Sequence, residues 1–242
     1  MLAQSLSRTF AQLPDPKFRN TLLKSLALTL VLFTLVIMAA LQLLPDDGFF
    51  SPDSFWFEWM ADALNWLIGA SAVLTMLAIL VFTFSQVSTL ISSFFLDDVA
   101  DAVERRFYPD APASRDVGVG EAVGVSLKFL GVTLALNIVV LPLYILALIF
   151  PPLFLFIFYG LNGYLLSREY FELVSLRQMD PKASARLRKA HRGTVFVAGV
   201  VIAFAVTIPI VNLAVPILAT AFMVHVLHGL QAKEAARGVA TA

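Results

Sequence analysis

The chain has 242 residues with 17 basic and 17 acidic side chains, so no net charge draws it to nucleic acid. It is 59% hydrophobic and only 14% charged, against roughly a quarter charged in a soluble domain, and its mean hydropathy is +0.84. Having no cysteine, it can form no disulfide, thiolate metal site or thiol nucleophile.

Four blocks, 25–45, 63–96, 129–167 and 194–224, contain no Asp, Glu, Lys or Arg. Lipid hydrocarbon selects such blocks, because a charge at the bilayer centre costs about 2.5–3.5 kcal/mol even on mild insertion scales. The reading is an all-α integral membrane protein, one membrane domain over 1–242, with two long transmembrane helices, two proline-broken helical hairpins and an N-terminal interfacial helix.

Leu2, Leu6, Phe10 and Leu13 share one helical face, which predicts the interfacial helix over 1–14, ended by Pro14. The first 24 residues show no apolar run with a small-residue cleavage site, so no secretory signal is expected there. The first transmembrane helix is expected over 16–45. Its charge-free block of 21 residues would be ~32 Å long, matching a hydrocarbon core of ~30 Å. The second is expected over 59–109. Its block of 34 residues would be ~51 Å long, so the helix must tilt or protrude, and it runs on through an Asp101–Arg105 pair at i,i+4.

Charge assigns the sides. Arg8, Lys17, Arg19 and Lys24 precede the first block, whereas 46–62 is acidic with no basic residue. The positive-inside rule therefore places the N-terminus in the cytoplasm and 46–62 outside, where Trp56, Trp59 and Trp66 suit an aromatic belt. The stretches 97–128 and 168–192 and the C-terminus are basic, so they too are expected in the cytoplasm. Blocks three and four must then each enter and leave by one side. The first hairpin, with its juxtamembrane helix, is expected over 122–179. It kinks at Pro142 and bends at Pro151 and Pro152, and the apolar part of its second arm, 153–167, is short. A cytoplasmic helix over 181–192 is capped by Asp180, opened by Pro181 and stopped by Gly193. The second hairpin, 194–230, turns between Pro209 and Pro216. Its first arm, 194–208, would reach only ~22 Å, too short to cross upright, so this hairpin reads as re-entrant. Its tip must be covered by protein or line a wet cavity, and a homo-oligomer would supply such cover.

The runs FFLDDVADAVERRFYP (94–109), LNGYLLSREYFELVSLR (161–177), RKAHRGTVF (188–196) and IPIVNLAVPILATAFMVH (208–225) resemble, in order, the CysZ sulfate-permease family, grouped with the etoposide-induced membrane proteins. The resemblance spans roughly 15–230. It implies two spanning helices, two partly penetrating hairpins, an oligomer, and a bacterial inner-membrane location. In sulfate-permeating members a glycine and paired arginines near the start of the first long helix bind the anion. The matching stretch here is DPKFRN, 15–20. Arg19 matches one arginine, while Lys17 and Asn20 stand where the glycine and the second arginine would be. Phe94, Phe95 and Leu96 replace the family's Pro-Phe-Asn element.

Lys17, Arg19 and Asn20 are thus the candidate substrate-binding residues. At a helix start that Asp15 could cap, basic side chains oppose the macrodipole unless an oxyanion sits on the free N–H groups, and the plainer role is topology anchoring. Arg186, Arg188, Lys189 and Arg192 form the densest basic cluster, an anion funnel, a contact for acidic headgroups, or plain positive-inside retention. Asn212, at the expected hairpin tip, is a candidate pore residue, beside the plainer reading of Asn137, Asn162, Gln86 and Asn212 as interhelical hydrogen bonders. Asp97, Asp98 and Asp101 spell a DDxxD motif that holds magnesium in isoprenoid enzymes, but no second acidic cluster accompanies it. His225 and His228, at i,i+3, have no acidic or thiol partner nearby in sequence. No cofactor or metal is therefore expected, nor any nucleophile–base arrangement or Walker A pattern. No carboxylate interrupts a block, which favours a passive path over a proton-coupled pump. The function these observations support is permeation of a small inorganic oxyanion, sulfate, through a channel-like path. The alternative is a non-transporting membrane scaffold or assembly partner.

Overall fold

The computed structural model describes residues 1–12, 95–112, 114, 115, 117–212 and 214–240, together with scattered positions between 14 and 75. Every regular element among the described residues is a helix. Two are long and apolar enough to cross a membrane, Gly120–Ala147 and Val215–Gly238. The chain forms two compact units. In the unit Leu23–Phe94, positions 62–71 are helical and Trp59 and Trp66 are exposed. Leu13, Asp15, Lys17, Trp56, Gln86, Phe94 and the apolar run 76–94 lie outside the described residues.

The other unit, Met1–Leu22 with Phe95–Ala242, contains α1 (Leu2–Ala11), α2 (Leu96–Phe107), α3 (Val119–Ala147) and α4 (Pro151–Ser175). These are followed by α5 (Pro181–Ala190), α6 (Arg192–Val206), α7 (Pro209–Asn212) and α8 (Val215–Ala240). α3 and α4 form a hairpin. Pro151 and Pro152 open α4, where a missing N–H costs nothing because the first turn has no acceptor for it. Pro142 stays inside α3. α4 continues past the charge-free block through Arg168, Glu169 and Glu172, so its 25 residues make a helix of ~38 Å. α3 is apolar all round, and Leu134, Ile138, Val139 and Leu141 are all more than half exposed. A helix without a polar face that is not covered by protein matches hydrocarbon as its solvent.

Asp180 caps α5 as its position predicts, accepting from the Lys182 and Ala183 N–H groups at 2.8 and 3.0 Å. Gly193 does not stop α5. The chain turns through 92° at His191, whose φ of −115° needs no glycine, and Gly193 lies in the first turn of α6. His191 Nε2 lies 2.7 Å from Glu234 Oε1, tying this corner to α8. α6 has 15 residues, ~22 Å, and the short α7 follows it.

The core is built around α8. Ile217, Phe222, Met223, Leu227 and Leu230 are almost wholly buried against Val99 and Val103 of α2, Phe171 and Val174 of α4, and Val195, Ala198 and Ile202 of α6. α4 and α6 pack most closely. A Cβ on Gly199 would meet the Gly163 carbonyl oxygen at 2.0 Å and Ser167 Cβ at 2.4 Å, so only glycine fits that crossing. α1 packs on α8 through a polar stripe beside two residues of the apolar face, Leu2 and Leu6. Ser5, Thr9 and Gln12 are buried while Phe10 is 57% exposed. Thr9 satisfies its hydroxyl on the Ser5 carbonyl at 2.9 Å, which lets small side chains bring the two helices together.

Candidate functional site

The polar side chains gather where α2, the ends of α3 and α4, α5 and the second half of α8 meet. Asp97, Asp101 and Glu104 recur at helical spacing on one face of α2. Arg177, just beyond α4, faces all three: it bonds Asp97 Oδ1 at 2.5 Å, pairs with Asp101, and lies 3.6 Å from Glu104. The Asp101–Arg105 pair expected from spacing is therefore replaced by a long-range one. The guanidinium also occupies the two carboxylates of DDxxD that a magnesium ion would need, and Asp98 stays exposed.

Glu104 accepts from Gln178 Nε2 at 2.7 Å, and His228 Nε2 lies 3.6 Å away. Burial works against its ionisation, but the contacts from His228, Arg177 and Gln178 outweigh it and hold the carboxyl below its ordinary range. Gln231 of α8 donates to Gln178 Oε1 at 3.0 Å. Tyr108 joins this group to α1. Its ring stacks on His228 with centroids 3.9 Å apart, and its hydroxyl lies 3.3 Å from Arg8 Nη1 and 2.9 Å from His225 Nδ1. The two histidines thus point to different partners, and His228 has an acidic neighbour that its sequence surroundings do not reveal. Among the described residues no three His, Asp or Glu side chains converge as a metal site.

A second group is basic. Lys128 of α3, Arg168 and Glu172 of α4, and Ser184 and Arg188 of α5 line a cavity of about 60 Å³. Arg168, only 4% exposed, donates through Nε to Glu172 Oε1 at 2.9 Å, and its guanidinium lies 5.6 Å from the centre of the Phe129 ring. Arg188 Nη2 approaches the same carboxylate oxygen at 3.6 Å, while its Nε is buried and hydrogen-bonds to nothing in the protein. The Ser184 hydroxyl is held by Ser175 at 2.6 Å. Three cations and one carboxylate therefore line this cavity.

The family model described as sulfate transporter CysZ/etoposide-induced protein 2.4 matches residues 5–216. The chain belongs to this family. No curated protein and no solved structure matches it. As a CysZ/etoposide-induced protein it is a membrane protein of a transporter-type family rather than of an enzyme family. In this CysZ-family chain Arg19 and Asn20 are helical and exposed, and neither lines the basic cavity. Of the α5 cluster, Arg188 alone turns into the cavity. Arg186, Lys189 and Arg192 are exposed. Asn212 is half-buried at the end of α7, its N–H on the Ile208 carbonyl at 2.8 Å. Sequence reasoning missed Lys128 and Arg168 as site residues. The i,i+4 spacing of Arg168 and Glu172 was the visible signal, but their approach to Arg188 depends on how α5 folds back on α4.

Proposed function

We propose that this chain lets a small oxyanion, sulfate, cross a bacterial inner membrane down its gradient, as a homo-oligomer with both termini in the cytoplasm. The observation that carries this reading is an excess of positive charge at the polar end of helices whose apolar lengths carry no ionised group, in a chain of a sulfate-transporter family. The charges raise the local anion concentration, and the apolar lengths offer no carboxylate for coupling to protons. In this reading Lys17, Arg19 and Asn20 make the first contact, Arg186, Arg188, Lys189 and Arg192 form the funnel, and Asn212 sits on the path at the tip of a re-entrant hairpin. Flux of radiolabelled sulfate into vesicles that contain the purified chain tests it. Uptake above empty vesicles, reduced by Arg19→Ala, is expected. No uptake by correctly folded protein would sink it. Asn20, standing where sulfate-permeating members have a second arginine, favours the scaffold as the second reading; a co-purifying partner and normal growth of a deletion strain on limiting sulfate would support that reading.

A further inference from the structure

We propose that the cavity between α3, α4 and α5 is a binding site for a tetrahedral oxyanion, either free sulfate or the phosphate of an anionic lipid headgroup. The proposal deepens the permeation reading by assigning a bound anion to the inward-facing member of the funnel. Charge is the first argument. Lys128, Arg168 and Arg188 line the cavity against Glu172 alone, and both guanidinium groups compete for one oxygen of that carboxylate. Two guanidinium groups offer ten N–H donors, far more than one carboxylate can accept. The second argument is the buried Nε of Arg188. A charged donor enclosed without an acceptor is costly, and a ligand oxygen in the cavity would remove that cost.

Geometry selects the ligand. The cavity, about 60 Å³, has room for a five-atom oxyanion and is small for an organic substrate entering whole. A lipid would place only its phosphate there. Arg168 is held by burial, Glu172 and the Phe129 ring, so its fork is oriented before the ligand arrives, and planar forks match oxyanion edges. Lys128 is exposed on α3 at the rim, where it would steer an approaching anion.

The test uses the full chain in detergent and in lipid nanodiscs. Equilibrium dialysis with radiolabelled sulfate compares the wild type with Arg188→Ala, with Arg188→Gln as the variant that keeps side-chain length should the alanine form fail to fold. Native mass spectrometry counts retained phosphatidylglycerol against phosphatidylcholine. Loss of one charge-assisted donor should weaken binding about tenfold or more, and Glu172→Gln, which removes the competing carboxylate, should tighten it. Sulfate affinity that falls in both Arg188 variants and rises in Glu172→Gln supports a free-anion site. Retained phosphatidylglycerol that disappears in the Arg188 variants supports a headgroup site. Sulfate affinity and lipid retention that are absent in the wild type, or unchanged by the substitutions, overturn the proposal. Failure of vesicle flux alone would remove the transport reading and leave this site standing.

Discussion

Glu104 shows how much of the polar end depends on single side chains brought together by the fold. It receives Gln178 from beyond α4 and His228 from α8, and faces Arg177 across the α2 surface. Its depressed pKa makes a statement about acid stability. A carboxyl held below its ordinary 4.5 contributes fully above that pH, and the contribution is lost as pH falls through the folded-state value. As pH falls from about 5 to 3 the thermal unfolding midpoint of the wild type should therefore fall further than that of Glu104→Gln. Equal falls would show that Glu104 does not link folding to protons. At this scale the sequence shows local chemistry and little else. Asp180 is legible as a cap because both N–H groups that donate to it lie within three residues. The partners of Asp97, Asp101 and His228 are not legible, because they come from Arg177, Glu104 and Tyr108 through the packing of three separate helices.

Helix crossings depend on residues that carry no chemistry. Gly163 and Ser167 of α4 meet Gly199 of α6 so closely that a methyl at position 199 would fall inside the α4 backbone. Gly199→Ala should lower stability in detergent by about 1–3 kcal/mol, since the neighbouring atoms are main chain and the Ser167 Cβ fixed to it, none of which can rotate aside. Gly160→Ala, on the facing helix α4 with nothing within 4 Å of its added Cβ, is the control and should be neutral or stabilising. Comparable losses for both would mean that intrinsic helix preference, not the crossing, sets the effect. Among the elements, the α3–α4 turn was legible because two prolines open α4. The α5–α6 corner was not placed correctly, because glycine is only one way to end a helix. His191 ends α5 in an ordinary conformation and is secured from α8.

For the whole molecule, the third and fourth charge-free blocks overlap the two described helices long and apolar enough to cross a membrane, and the family match agrees with the chain's membrane class. What the blocks could not show is which apolar helix faces protein and which faces lipid. α3 and α8 are both long and apolar, yet the apolar window of α3 is uncovered and 72% of that of α8 is buried. The absence of native cysteine makes topology directly testable. In the re-entrant reading, α6 is too short to cross and α7 lies at the tip, so Asn212→Cys in sealed cells should resist an impermeant maleimide added from outside. Rapid labelling from that side, without a permeant route, would make the second hairpin a true crossing.

The enclosure of α8 carries a mechanical consequence. α1, α2, α4 and α6 all pack on it, and His228, Gln231 and Glu234 fasten its second half to neighbouring chain segments. Such a helix, held on most of its apolar length, has little room to slide and serves as the axle of the unit. α3, which packs chiefly on α4, lies at the periphery. In the permeation reading, any breathing of this unit that admits or releases an ion would be borne by α3, and the basic cavity lies at the seam between α3 and the helices packed around α8.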